Sequence, residues 1–186
     1  MIPPAGWWSP GELVHYGLSP VDPLPLCRRK GDALALELMA GIPLRQRCLA
    51  LRGAEADPDA WRLAQALCPQ VGMLALDFDR GEEELARRLR RAYGAAALHL
   101  GQGQTPQVSL ELAPRPGSVG RTIRLWGRPE LEGFTLVGKE PLPEDLEPLP
   151  FLELLWETGR LAVEEIRVER GRNGLDIRRE NTYNTG

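Results

Sequence analysis

Two hydrophobic periodicities alternate through the middle of the chain. "VGMLALDF" (71–78) is continuously apolar, as a strand covered on both faces requires. "RGEEELARRLRRAYG" (80–94) then spaces Leu85, Leu89 and Ala92 as one helical stripe. Its acids come first and its arginines later, matching the helix dipole, and Gly94 is placed to end it. "AAALHL" (95–100) reads as another short strand. Upstream, "GAEADPDAWRLAQALC" predicts a helix with Asp57 as N-cap and Pro58 at N1, buried through Trp61, Leu63, Ala64 and Leu67. "DALALELMAGIPLRQRCLALRG" alternates as a strand does, while its Ala, Leu and Glu favour helix. Gly41-Ile42-Pro43 breaks it, so the stretch reads as two strands, about 33–39 and 44–52. Residues 44–100 therefore predict β-α-β-α-β, half of a doubly wound sheet.

Beyond residue 100 the pattern shortens. "VSLELA", "RTIRLWG" and "FTLVGK" are strand-like, separated by the turn chemistry of "PRPGSVG" and "RPELEG". They predict antiparallel hairpins or an edge extension of the sheet. "EPLPEDLEPLP" is a proline-rich acidic linker. "FLELLWETG" predicts a short amphipathic helix with Phe151, Leu152, Leu155 and Trp156 on its apolar side. "EEIRVERGRNGLDIRRE" predicts a hairpin around Asn173-Gly174. At the other end, "SPGELVHYG" carries a capping box, Ser9 with Glu12, and Gly17 to stop the helix. Trp7 and Trp8 precede it, either packing back as a staple or offering a partner surface. "LSPVDPLPLC" is a proline-rich connector.

The expected fold class is thus α/β: a small, partly parallel sheet from a β-α-β-α-β core at about 44–100, with a C-terminal β-rich extension. The expected organisation is an N-terminal helix and connector (1–30), an α/β core with its β extension (31–140), and a linker, short helix and hairpin (141–186) packed on the same domain.

Composition narrows the classes. A chain of 186 residues, 42% hydrophobic, is long enough for a self-sufficient core. A net charge of −3 gives no global attraction to nucleic acid or anionic lipid. Arginine supplies every basic residue except Lys30 and Lys139, the usage of a GC-rich, bacterial genome. Cys27, Cys48 and Cys68 are odd in number and none lie two residues apart, which argues against a disulfide framework or a zinc finger. The first residues lack a signal-peptide pattern, and no apolar run reaches spanning length, so a soluble cytoplasmic protein is expected. Charge is segregated. Residues 130–165 hold ten acids against Lys139 and Arg160, while 166–186 hold five arginines against three acids. The acidic stretch suits a basic protein partner, if it is more than a solvated face.

Candidate chemistry centres on Asp77 and Asp79, which share a strand face at its C-terminal end, where doubly wound sheets bind ligands. They are candidate Mg²⁺ ligands. The apolar run ending Asp-x-Asp resembles the first motif of aspartate-nucleophile phosphatases. That family continues with Gly and then Thr or Val, and this chain continues Arg80-Gly81-Glu82, so no membership is drawn. The competing account has Asp79 capping the helix that starts near Arg80 or Gly81. His99 is a candidate acid/base partner at the same sheet edge. Gly101 and Gly103 in "GQGQTP" form a candidate anion loop, with Pro106 where a dinucleotide fingerprint needs its third glycine. No Walker A loop and no Gly-x-Ser-x-Gly occurs. The arginines at 87, 88, 90 and 91 have acids one turn before them and no interleaved aromatics, which suits a solvated face better than nucleic acid. The expectation is a non-catalytic protein-binding or regulatory module, with no cofactor identified. The alternative is a divalent-metal-dependent phosphoryl-transfer or hydrolytic enzyme using Asp77 and Asp79.

Overall fold

The computed structural model describes residues 21–94, 98–101, 105–117, 119–140, 142 and 146–171. Five helices, α1 (Leu24–Arg29), α2 (Gly31–Leu38), α3 (Pro58–Leu67), α4 (Glu82–Tyr93) and α5 (Pro148–Glu157), accompany seven strands among them. The strands are β1 (Cys48–Glu55), β2 (Met73–Arg80), β3 (Leu98–His99), β4 (Val108–Glu111), β5 (Arg121–Arg124), β6 (Phe134–Val137) and β7 (Arg167–Arg170). Strands β3-β2-β1-β4-β5 form one sheet in that order, every neighbouring pair parallel. Strands β6 and β7 form a separate antiparallel ribbon. The fold is α/β with a β-rich C-terminal extension.

The β-α-β-α-β reading of residues 44–100 is realised as β1-α3-β2-α4-β3. Asp57 caps α3, its Oδ1 accepting from the Ala60 amide at 2.8 Å. Gly94 ends α4 in the left-handed conformation at φ 64°.

Three expectations change. Residues 33–39 are not a strand: 33–38 lie in α2 and Met39 caps its C-terminus. Leu34, Ala35, Leu38 and Met39 recur at helical spacing and are all buried, so the helix preference of Ala, Leu and Glu prevails over the alternation. The strand expected from residue 44 starts at Cys48, because Pro43 opens a 3-10 turn over Leu44–Gln46. The connector at its end contains α1, with Pro23 and Pro25 in the positions that open a helix. Of the two arrangements expected for β4 and β5, antiparallel hairpins or an edge extension of the sheet, the structure has the second, with the two strands parallel. The hairpin around Asn173-Gly174 falls outside the described residues, and β7 pairs back with β6, Leu136 opposite Val168.

The sheet has two unlike faces. Leu49 and Leu51 of β1, Leu74, Leu76 and Phe78 of β2, Val108 and Leu110 of β4 and Ile123 of β5 join Leu34, Leu63, Leu67, Leu85 and Leu89 of the helices in one buried cluster. The same cluster takes in Leu26, Leu136, Leu152 and Ile166, so α1, α5 and the β6–β7 ribbon share the core of the parallel sheet. The opposite face carries a row of small residues, Ala75, Ala50, Ser109 and Thr122, in register across four strands. The next row toward the C-terminal edge is charged: Asp77, Arg52, Glu111 and Arg124.

Candidate functional site

The strand order reverses direction at β1. The chain leaves β1 toward β2 and β3, then returns to β4 on its other side. In open parallel sheets the crevice outside the strand C-termini at such a switch point is where ligands bind. Here the crevice lies beyond Arg52 and Glu111, where the chain's own charged side chains pair with one another.

Arg52 is 2% exposed. Its Nε donates to Asp77 Oδ2 at 2.9 Å, and one terminal nitrogen donates to Glu111 Oε1 at 3.0 Å. The terminal nitrogens also donate to the Gly117 and Pro116 carbonyls, both at 2.8 Å. A central parallel strand puts Arg52 here because Leu49 and Leu51 must face the helices, so the even-numbered side chains face away. A right-handed connection requires the β4–β5 link to cross that opposite face. Arg52 pins the link there through residues 116 and 117. Arg115, on the same link, bonds Asp77 and reaches Asp79 Oδ1 at 2.6 Å. Burial pushes the Asp77 carboxyl up, but hydrogen bonds and charge from Arg115 and Arg52 outweigh it and hold it below its ordinary value. The Arg115 guanidinium is pushed up by its bonds to Asp77 and Asp79.

A second arginine closes the edge from the helical side. Arg28 of α1 donates to the Leu125 and Leu112 carbonyls at 3.0 and 2.8 Å. Its remaining nitrogen faces Asp57 and Asp59 at 3.5 and 3.4 Å. The N-terminus of α3, where a dinucleotide phosphate would sit in a doubly wound sheet, is therefore occupied by a carboxylate cap and its arginine.

Asp77 and Asp79 do share one face, as their spacing predicts, and they converge on a cation; that cation is Arg115. Among the described residues no group of three or more His, Cys, Asp or Glu side chains is placed to share a metal ion. Asp79 does not cap α4, because Gly81 takes the N-cap position at φ 79° and no side chain bonds to it. Glu82 instead folds back, Oε2 accepting from the Phe78 amide at 2.7 Å. This satisfies a β2 donor that the two-residue β3 leaves unpaired.

His99 pairs in register with Leu76, which places it on the helix-covered face, opposite Asp77 and Asp79. It contacts Glu82 Oε1 and stays largely exposed, so the structure does not bring it to the acids. Gly101 follows β3 at φ 94° with no atom near the position of a Cβ. Gly103, Trp7 and Trp8 lie outside the described residues. On α4, Arg87 and Arg88 both bond Glu84, and Arg88 stacks over Trp61 at 4.4 Å.

Sequence reasoning missed Arg28, Arg52, Glu111 and Arg115. Two carried a signal: a lone Arg in "CLALRG" and a lone Glu in "VSLELA" interrupt apolar runs, and a charge inside a buried strand needs a partner. Arg115 sits in "APRPG" with no such signal. Among the described residues no helix is long and apolar enough to cross a membrane. Compared with known proteins, the chain matches no family model, no curated protein and no solved structure.

Proposed function

We propose that the chain is a non-catalytic protein-binding or regulatory module. One observation carries the reading: the ionisable groups at the switch point are paired with one another. Arg52 holds Asp77 and Glu111, Arg115 holds Asp77 and Asp79, and Arg28 holds the cap of α3. A catalytic acid or base needs a free position for substrate and a protonation state poised for transfer. Asp77 has neither, being held ionised between two guanidiniums. The partner is a protein with a basic surface. Glu140, Glu147, Glu157 and Glu164 are exposed and form no ion pair among the described residues, while the neighbouring Glu130 and Glu132 are paired with Arg124 and Arg121. Trp7 and Trp8 are the anchors that residue type favours at such a contact.

The test has two arms. Melting the protein with increasing Mg²⁺ or Mn²⁺ should leave Tm unmoved, because a cation would have to displace Arg115. Binding would raise stability by about 2.7 kcal/mol at a hundredfold excess over Kd. A rise abolished by Asp77→Asn would establish the metal-enzyme alternative instead. In the second arm, crosslinking of the full chain in its own cell extract should capture a basic protein. Reversing Glu140, Glu147 and Glu164 to Lys should abolish that capture, and capture that survives the reversal refutes the acidic surface.

A further inference from the structure

Of the three buried charged side chains, Arg52, Glu111 and Glu153, only the last has no counter-charge among the described residues. Glu153, on α5, is 0% exposed. Its Oε2 accepts from the Leu26 amide of α1 at 2.7 Å, tying the two helices together. Its Oε1 is buried and has no hydrogen-bond partner among the described residues. Among the described residues the groups that face it are all acidic: Glu157 one turn along α5, Asp22 just before α1, and the buried thiol of Cys27. Strand β6, Phe134–Val137, which also packs against α5, has no ionisable side chain. The arginines of α1 lie in its last turn, and Arg28 is turned to Asp57 and Asp59. A carboxylate in this position would be an uncompensated buried ion, whereas the protonated group loses nothing but one unmet donor.

We infer that Glu153 is a proton-operated latch: its protonated carboxyl holds α5 on α1, and loss of that proton loosens the contact. Burial, with Glu157 and Asp22 nearby, pushes the carboxyl up to about 7, although the Leu26 amide pulls the other way. The closed form therefore binds the proton more tightly than the open form, whose carboxyl has its ordinary value of 4.5. Opening becomes roughly tenfold easier with each pH unit between those two values and levels off above the higher one, about two orders of magnitude in all.

Cys27 is the built-in reporter, since it is 0% exposed beside the latch and its thiol is pushed up to about 12 mainly by burial. Alkylation of Cys27 in the full chain, followed by mass spectrometry and corrected for the thiolate fraction of a free cysteine peptide, reads the opening. From about pH 5 to about pH 8 the corrected rate should rise on the order of a hundredfold in wild type. It should stay flat in Glu153→Gln, which keeps the acceptor for Leu26 and cannot ionise. Equal pH dependence in the two proteins overturns the inference. A ¹³C titration of the Glu153 carboxyl in the unmodified protein provides an independent measurement, with a midpoint near neutrality expected. A midpoint in the ordinary carboxylate range overturns the latch even if the glutamine variant does not fold.

Discussion

Arg52 and Glu153 are both buried charged side chains, and their surroundings differ in almost every respect. Arg52 meets two carboxylates and two backbone carbonyls, each within 3.0 Å. Glu153 meets one backbone amide and two further acids. Burying an ion takes it out of water at a cost of several kcal/mol, which only close counter-charges and hydrogen bonds offset. Around Arg52 that compensation is complete, so the charge locks the β4–β5 link onto the sheet at any pH where the acids are ionised. Around Glu153 the described residues supply only one backbone amide, so the closed contact favours the neutral carboxyl and follows the proton. Burial alone says little about what a charged residue does; its partners decide whether it is a permanent clamp or a conditional one.

The largest effect expected from breaking the comparison is at Arg52. Arg52→Met keeps the volume but leaves Glu111 and Asp77 facing each other and releases the carbonyls of residues 116 and 117. Urea denaturation should show a loss of about 3–5 kcal/mol. Adding Glu111→Leu should recover part of it, since removing the stranded partner relieves the buried charge. A loss below about 1 kcal/mol, the range of exposed pairs, would mean that the network is solvated rather than buried.

Acid provides the next test, with the opposite sign to the latch. Asp77 is held below its ordinary value in the folded state. Its stabilisation is fully present above the ordinary carboxylate range and disappears as pH falls through the lowered folded value. Stability of the wild type should therefore fall on acidification through this group, and Asp77→Asn should flatten that part of the profile. Glu153 acts in the reverse direction, weakening the fold as pH rises toward neutrality, so a pH profile with a loss on both sides distinguishes the two sites.

The smallest effect concerns a local feature. Asp57→Ala removes the cap on the Ala60 amide and one anion facing Arg28, and should cost about 1 kcal/mol in thermal or chemical denaturation. A loss several times larger would show that the Arg28 bridge between α1, α3 and the strand ends is cooperative.

Much of the framework is legible along the chain because it depends on near neighbours. The cap at Asp57, the stripe Leu85–Leu89 and the stop at Gly94 are local signals, and each appears where its spacing places it. "DALALEL" shows the limit of such signals. Alternation and propensity disagree there, and the burial of Leu34, Ala35, Leu38 and Met39 against other elements settles the matter as helix. Asp79 shows another limit. It stands where a helix cap belongs, yet Arg115, 36 residues away, takes it.

The amino-acid order by itself therefore determined the alternating layers of residues 44–100 and the placement of Asp77 and Asp79 on one strand face, because periods of 2.0 and 3.6 residues are properties of the local backbone. Only the tertiary structure decided the strand order, the parallel pairing of β4 with β5, and the partners of every buried charge. Register brings Arg52 between Asp77 and Glu111, residues 25 and 59 positions away. The fold likewise brings Glu153 to an amide 127 positions away. Contacts over such separations leave no periodic trace in the chain, and they set the energy of an ion once water is excluded.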